Sequence, residues 1–430
     1  MARRPTIVLV GQALTFPWLF DAATRAGIDL VVVPKSGATV EDTREAAAKI
    51  SSVVDVLPLT IDTDPAGALA TLVERYRREP FDGIMACADR VVPFVAQAAR
   101  VLGLVGLTEE AAAAVRDKRS MRRLLREAGL RTPDFVTLHD ADQWADALRL
   151  QFPVVVKPAN GYASLGVIRA DNKDELQAAV ERTWQLFSAH LDHGPAAVTD
   201  GGILIEEYLD GAEISVESLI HHGEVRVCGI AYKGELTGPY FEEVVFRVPA
   251  PLPAEVLASV EREVLAAHRA FGVTEGITHT ELRLVGGTRP VLVETGARMG
   301  GSGTLHWLVQ NGTGIDLAAD ALRIHIGQTP ECWTRESKGT CFAASYSLSV
   351  GEGGRIARVR GLAEVQADPR VEYVVRTAGP GSVLKPYPDW TGYPAIVMSR
   401  HDSDAEAVAF HDYLARTLVV EYEPGELPAG

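Results

Sequence analysis

Short apolar runs separated by helical periods dominate the first hundred residues. "TIVLVG" (6–11) has the pattern of a buried strand, "WLFDAATRAG" the spacing of a helix and "IDLVVVP" (28–34) that of a second strand. Together they predict the β-α-β opening of a parallel sheet. "FDGIMAC" (81–87) and the helical "VVPFVAQAARVLG" continue the alternation, so residues 1–112 read as one open α/β domain. Gly11 stands without a G-x-G-x-x-G spacing, which argues against a dinucleotide site there.

Beyond this point the period changes. "TEEAAAAVRDKRSMRRLLREAG" (108–129) begins with a threonine followed by acids and stops at Gly129, a helix or helix pair leading into a new unit. "FPVVVKPANGYASLGVIRA" (152–170) reads as strand, glycine-containing loop and strand. Residues 196–233 give three strand signals broken at Gly201-Gly202, Asp210-Gly211 and His222-Gly223, the pattern of an antiparallel meander. An amphipathic helix over 253–272, with Val256, Val260, Val264 and Ala267 at helical spacing, precedes the hairpin "THTELRLVGGTRPVLVE". The remainder reads as a further α+β segment whose "TAGPGSVLKPYPDWTGYP" (377–394) is a long loop. The expected units are 1–112, 113–206, 207–335 and 336–430.

Composition narrows the class. The chain has 430 residues, 47% of them hydrophobic, and a formal charge of -15. That balance fits a folded multi-domain protein and argues against nucleic-acid or membrane-surface binding. No apolar stretch is long enough to span a bilayer, which together with the sequence start points to a cytoplasmic protein with small soluble partners. Cys87, Cys228, Cys332 and Cys341 are scattered without a C-x-x-C pair, as expected of reduced thiols.

The hairpin "ELRLVGGTRPVLVE" carries the first chemistry. If the reversal centres on Gly287 and Thr288, Glu281 and Glu294 stand opposite each other on one face, with Leu282 facing Val293 and Leu284 facing Val291 on the other. Opposed like charges are destabilising, and a hard divalent cation bridging to phosphate oxygens resolves the conflict. His279 and Arg298 can look into the same site. Two alternatives stand beside this reading: the acids are solvated, with Arg298 pairing one of them, or a one-residue slip puts them on opposite faces.

Lys157 ends a strand just before a loop containing Gly161, Ser164 and Gly166, a pattern that suits a phosphate cradle and equally a solvated strand end. Lys118 lies on a basic helix. "ILIEEYLDGAEISVE" delivers Glu206, Glu207, Tyr208 and Leu209 to a turn, with Glu213 starting the next strand.

In this order, DK (117, 118), "VVVKPANGYASLG", "ILIEEYLDGAEISVE", "THTELRL" and "VETGARMGG" resemble the motifs of the ATP-grasp superfamily over nearly the whole chain. The resemblance implies an α/β (α+β) fold: an N-terminal open parallel-sheet domain, a small lid domain, a large antiparallel-sheet catalytic lobe and a C-terminal α+β extension. It implies that Lys118 and Lys157 contact ATP phosphates along with the loop bearing Ser164 and Gly166. Glu206, Glu207, Tyr208, Leu209 and Leu292 would line the nucleotide site, with Glu213 on the ribose. Glu281 and Glu294 would hold Mg²⁺, as two ions with Mn²⁺ able to substitute, and Arg298 would stabilise the transferring phosphate.

Within the superfamily, "TGPYFEEVVFRVPAPLP" (237–253), "ETGARMGGSG" and the long C-terminal addition resemble the L-amino-acid ligase branch. Two departures bear on the site. Gly296 stands where many ATP-grasp enzymes have a metal-binding asparagine, and Phe246 or Arg247 where members of this branch can carry a histidine. The implied reaction is ATP-dependent carboxylate-amine ligation through an acyl-phosphate, because a bare carboxylate is a poor electrophile. Gly300, Gly301 and Gly303 would allow close backbone approach to the tetrahedral intermediate. Candidate substrate contacts are Glu243, Arg247, His279, Met299, Ser302, His306 and Trp307, with Tyr240, Phe241 and Phe246 as further pocket walls. A homodimer is also implied. The alternatives are a carboxylase-like or purine-pathway ligase, and an ATP-binding regulatory protein.

Overall fold

The computed structural model describes residues 3–191 and 202–425, the side chains of 187–191 and of Ser302 excepted. The β-α-β opening forms as expected. Strands β1 (Thr6–Gln12), β2 (Asp29–Pro34), β3 (Val53–Val56) and β4 (Gly83–Ala86) make a parallel sheet of order β3-β2-β1-β4. Both faces of this sheet are covered, so its central strands are apolar throughout rather than alternating. β1 reads Ile7, Val8, Leu9 and Val10, all buried.

The basic stretch folds as two helices, Glu109–Arg116 and Lys118–Glu127, rather than one. The break falls at Asp117, whose side chain accepts from the Arg119 amide and caps the second helix, while Thr108 caps the first by accepting from the Ala111 amide. Lys118 is thereby fixed at a helix start.

The lid is an antiparallel sheet of order β5-β8-β6-β7, comprising β5 (Phe135–Leu138), β6 (Val154–Pro158), β7 (Ile168–Ala170) and β8 (Ile203–Glu207). This corrects the expected meander: β8 pairs with β5 and β6, and only the next two strands form a hairpin in the large sheet. A strand's apolar pattern does not say which sheet it joins.

Strands β9 (Glu213–His221), β10 (Glu224–Gly234), β11 (Val245–Val248), β12 (Gly276–Val285) and β13 (Arg289–Gly296) belong to an eight-stranded antiparallel sheet. Its order, β13-β12-β9-β10-β11-β14-β18-β16, runs on into the C-terminal segment through β14 (Phe342–Ser347), β16 (Val371–Arg376) and β18 (Ala395–His401). The extension therefore completes the large sheet. Beside it lies a small sheet of β15 (Gly354–Arg360), β17 (Val383–Leu384) and β19 (Val419–Tyr422). The helix Ala254–Phe271 lays Val256, Val260 and Val264 against Ile214, Val216, Leu282 and Leu284. Each fully buried valine contributes about 1.5–3 kcal/mol to holding the hairpin in place.

The hairpin has a more particular register than its sequence suggests. Near the turn the pairs are Val285 with Arg289, Leu284 with Pro290 and Leu282 with Leu292, so the reversal centres on Gly287 alone, with Gly286 and Gly287 at φ 64° and 78°. That is one residue away from the expected pairing. An irregularity between the Glu281 and Leu282 pairs takes up the extra residue, Val293, and Glu281 then stands opposite Glu294. The slip occurs and the bulge undoes it before it reaches the acids. Among the described residues no helix is long and apolar enough to cross a membrane, and all four cysteines are free thiols.

Candidate active site

The lid, the large sheet and the end of the parallel sheet meet around a cleft of about 400 Å³. Lys118, Lys157, Ser164, Glu206, Glu207, Tyr208, Leu209, Glu213, Glu243, His279, Glu281, Glu294, Arg298, Met299 and Gly301 all line it.

Under the lid, β6 carries Lys157 and β8 carries Glu206 into a sealed cluster. Lys157 pairs with Glu206, and Arg122 donates to the same carboxylate from Nε at 2.5 Å and Nη2 at 3.1 Å. Nη2 of Arg122 also donates to Val293 O at 2.6 Å, tying the linker helix to the bulge of β13. Burial alone would raise the Glu206 pKa, but Arg122 and Lys157 hold it down to about 2; burial lowers Lys157 to about 8 against the pull of Glu206. Breaking such a buried pair costs about 3–5 kcal/mol, since it strands a desolvated charge. Lys118 links the same helix to the loop after β6, donating from its amide to Ala159 O (3.1 Å) and from Nζ to Gly161 O (3.0 Å).

The catalytic face is more open. Glu294 accepts from Lys118 Nζ at 2.8 Å; Glu281 accepts from Lys233 Nζ at 2.9 Å and faces His279 Nε2 at 3.4 Å. Lys233, at the end of β10, also donates to Glu213 and Glu243. Glu213 completes its pairing with Arg283 Nε at 2.8 Å. The opposed acids are thus held by one lysine each. These contacts use Oε1 of both Glu281 and Glu294, so a second oxygen on each acid is available to a hard cation, and an all-oxygen donor pair fits Mg²⁺. The carboxylates of Glu213, Glu243 and Glu281 lie within 4.8 Å of one another, with the Lys233 ammonium bound to all three.

Charges here are set by their neighbours. Burial opposes protonation of His279, but Glu217, bound to Nδ1, and Glu281 push its pKa up to about 10, so it is an imidazolium at neutral pH. Burial raises Glu243 to about 7 despite Lys233, with Glu281 and Glu213 adding to the rise. Arg298 bonds Asp89 Oδ2 through Nε at 2.6 Å; burial works against its charge, and Asp89 more than compensates.

Comparisons with known proteins show the family. Residues 20–106 match the ATP-grasp N-terminal domain, 150–306 the ATP-grasp domain and 347–423 the L-amino acid ligase C-terminal domain 2. The crystal structure of an L-amino acid ligase from Bacillus licheniformis is 31% identical and superposes with a TM-score of 0.89, covering 98% of this chain and 100% of that one. The chain belongs to the L-amino-acid ligase branch of the ATP-grasp superfamily. It is also similar to the D-alanine–D-alanine ligase of Ralstonia nicotianae, 33% identical over 171 residues, 38% of this chain and 47% of that protein. Carnosine synthase 1 of Gallus gallus is 28% identical over 218 residues, 49% of this chain and 23% of that protein. The chain therefore spans about half, or less, of the length of these curated relatives.

Several expected contacts fall elsewhere. Leu292 lies in the apolar core beneath the sheet, because the bulge at Val293 leaves that neighbour, not Leu292, on the cleft wall. Arg247 bonds Asp404 Oδ1 at 2.6 Å and covers the Tyr232 ring, away from the cleft that its neighbour Phe246 lines; adjacent strand residues face opposite sides. His306 and Trp307 are buried in the first turn of helix Thr304–Thr313, with Trp307 in an apolar cluster. Tyr240 packs on Tyr387 outside the lining. Gly300 does not line the cleft either: its amide donates to Glu217 Oε2 at 3.3 Å, and a Cβ there would meet His279 Nδ1 at 2.3 Å. Glycine at 300 makes room for the Glu217–His279 pair. Gly166 turns the loop at φ 70° and accepts from Thr183 Oγ1, shaping the loop from behind. The Ser302 side chain, expected at the substrate, lies outside the described residues.

Four groups escaped the sequence reading. Lys233 ends an apolar strand before Gly234 just as Lys157 ends β6, a signal that was present. Asp89 lies just beyond the carboxyl end of β4, where ligands of open α/β sheets gather. Arg122 is indistinguishable from its basic neighbours by sequence. Tyr387, Trp390 and Tyr393 reach the cleft from the long C-terminal loop, which no local pattern could place.

Proposed function

We propose that the protein is an ATP-dependent carboxylate-amine ligase that joins an amino acid, or an amino-acid-like carboxylate, to an amine or a second amino acid, releasing ADP and phosphate. The observation that carries the reading is the directly opposed Glu281 and Glu294 at one wall of a cleft that also holds Lys118, Lys157 and Arg298. The amino-acid branch, rather than a carboxylase, is supported by the match of residues 347–423 to the L-amino acid ligase C-terminal domain 2.

In this reading Tyr208 and Leu209 border the adenine, with the Tyr208 amide already donating to Pro153 O, and Glu213 meets the ribose. Glu281 and Glu294 would hold Mg²⁺, as two ions replaceable by Mn²⁺, which would neutralise phosphate charge when bound. Lys118 exchanges the Glu294 carboxylate for phosphate oxygens as ATP binds, while Lys233 stays buried and holds Glu281 in place. Arg298 and the charged His279 stabilise the γ-phosphoryl as its bond to ADP breaks and a bond to the substrate carboxylate forms. The amine nitrogen then bonds to the acyl carbon, phosphate leaves with the C–O electron pair, and the nitrogen loses a proton. Acyl-phosphates hydrolyse, so water must be kept out. The loop after β6 holds Ala163 and Ser164 at φ 53° and 54°, strained for residues with a Cβ, and rearranges over the nucleotide. In this reading the enzyme works in the cytoplasm as a homodimer.

The test is a screen of amino-acid pairs for phosphate release, with products identified by mass and bicarbonate as a control. A product one water lighter than its two substrates is expected. ADP release with bicarbonate alone points to a carboxylase, and ATP binding without ADP under every mixture points to a regulatory protein.

A further inference from the structure

Gly296, two residues beyond Glu294, offers no side chain at a point where the cleft is crowded with charge. The space is filled from another domain. Asp89 begins the short 3-10 turn Asp89–Val91 that follows β4, and its carboxylate reaches across to the end of β13. A Cβ at Gly296 would stand 2.7 Å from Asp89 Oδ1, whereas the next nearest atoms, Arg298 Cγ and Cζ, are 3.7 and 3.8 Å away. The other oxygen, Asp89 Oδ2, accepts from Arg298 Nε at 2.6 Å. One carboxylate thus grips the arginine and occupies the place over residue 296.

The arginine is pinned at a second point, since Nη1 donates to Met299 O at 3.0 Å. Nε and one Nη1 hydrogen are committed, which leaves the Nη2 hydrogens and the other Nη1 hydrogen for substrate oxygens. Asp89, Gly296 and Arg298 all line the cleft. Arg116 and Lys118, from the two linker helices, are the other cations acting on Asp89, so the N-terminal domain, the linker and the catalytic lobe meet at this carboxylate.

We propose that Asp89 is the positioning residue for Arg298, and that residue 296 is glycine so that Asp89 can reach it. The proposal rests on the ligase reading for what Arg298 does to the phosphoryl group. A long arginine held at Nε and Nη1 presents its remaining donors in one orientation, and that orientation depends on the N-terminal domain being docked. A side chain at 296 acts on the reaction only by displacing Asp89.

The experiment is a double-mutant cycle read in both turnover and melting temperature, using Asp89→Ala, Asp89→Asn, Gly296→Ala and the double variant Asp89→Ala/Gly296→Ala. Asp89→Ala is expected to lower kcat about 10- to 100-fold, the usual effect of removing a group that orients a reacting residue, with KM for ATP unchanged. Asp89→Asn loses less, because its amide oxygen still accepts from Nε. Gly296→Ala resembles Asp89→Ala, and the double variant is no worse than Asp89→Ala, since the added methyl then meets nothing closer than 3.7 Å. Melting temperature follows the same logic: Gly296→Ala lowers it in the wild-type background and not beside Asp89→Ala. Losses that multiply in the double variant, or an Asp89→Ala effect confined to KM for ATP, overturn the proposal. A wild-type protein that forms no ADP with any amino acid overturns the ligase reading instead, and the melting cycle still decides whether Asp89 and Gly296 share that space.

Discussion

The two acidic centres of the cleft are built on opposite plans. Under the lid, Glu206 is sealed between Arg122 and Lys157, with side-chain exposures of 4%, 0% and 5%. On the large sheet, Glu281 and Glu294 keep 18% and 26% of their side-chain surface, and each is held by a buried lysine, Lys233 and Lys118 respectively. The first arrangement fixes Lys157 and the lid strands on the linker helix. The second leaves its carboxylates partly exposed at the cleft wall. Its like-charged carboxylates are tolerated because Lys118 and Lys233 each neutralise one of them.

Arg122→Ala breaks the sealed centre and leaves Glu206 and Lys157 partly unpaired in a desolvated pocket. A loss of about 3–5 kcal/mol is expected in denaturant unfolding; a loss below 1 kcal/mol would mean that the centre is not sealed. Acid titration probes the same carboxylate. Because the folded Glu206 pKa is depressed to about 2, its contribution to stability is fully present above the ordinary value near 4.5 and is lost as pH falls from there towards 2. Glu206→Gln should flatten that part of the stability profile, and an unchanged slope would assign the acid sensitivity to other groups. The smallest effect belongs to a residue that the structure removes from the site. Arg247→Ala should leave KM and kcat for both substrates close to wild type while weakening the contact with Asp404, and a large rise in one KM would return Arg247 to the pocket.

Much of this was legible in the chain. The parallel opening, the lysine at the end of β6, the amphipathic helix and the facing acids all follow from periodicity, and periodicity is a local property. The hairpin shows where that stops. Its tip reverses around Gly287 rather than between Gly287 and Thr288, and only the bulge at Val293 restores the pairing of Glu281 with Glu294. The same bulge explains the misplacement of Leu292. Arg247 was misread because a strand alternates and Phe246 already faced the cleft. Asp89, Arg122 and Lys233 act across 209, 84 and 48 residues respectively, on Arg298, Glu206 and Glu281. Such partners have no signature in a local window, although the strand-end positions of Asp89 and Lys233 mark them as candidates.

Glu281 and Glu294 are proposed to hold the metal for ATP chemistry together, and the decisive measurement is Mg²⁺-dependent ADP formation in Glu281→Gln and Glu294→Gln with the amino-acid pair that the wild type joins. Each substitution should lower kcat at least about 100-fold, the scale of losing an electrostatic partner of the reacting phosphate, while the melting temperature stays near that of the wild type. Full activity in either variant would contradict the assignment.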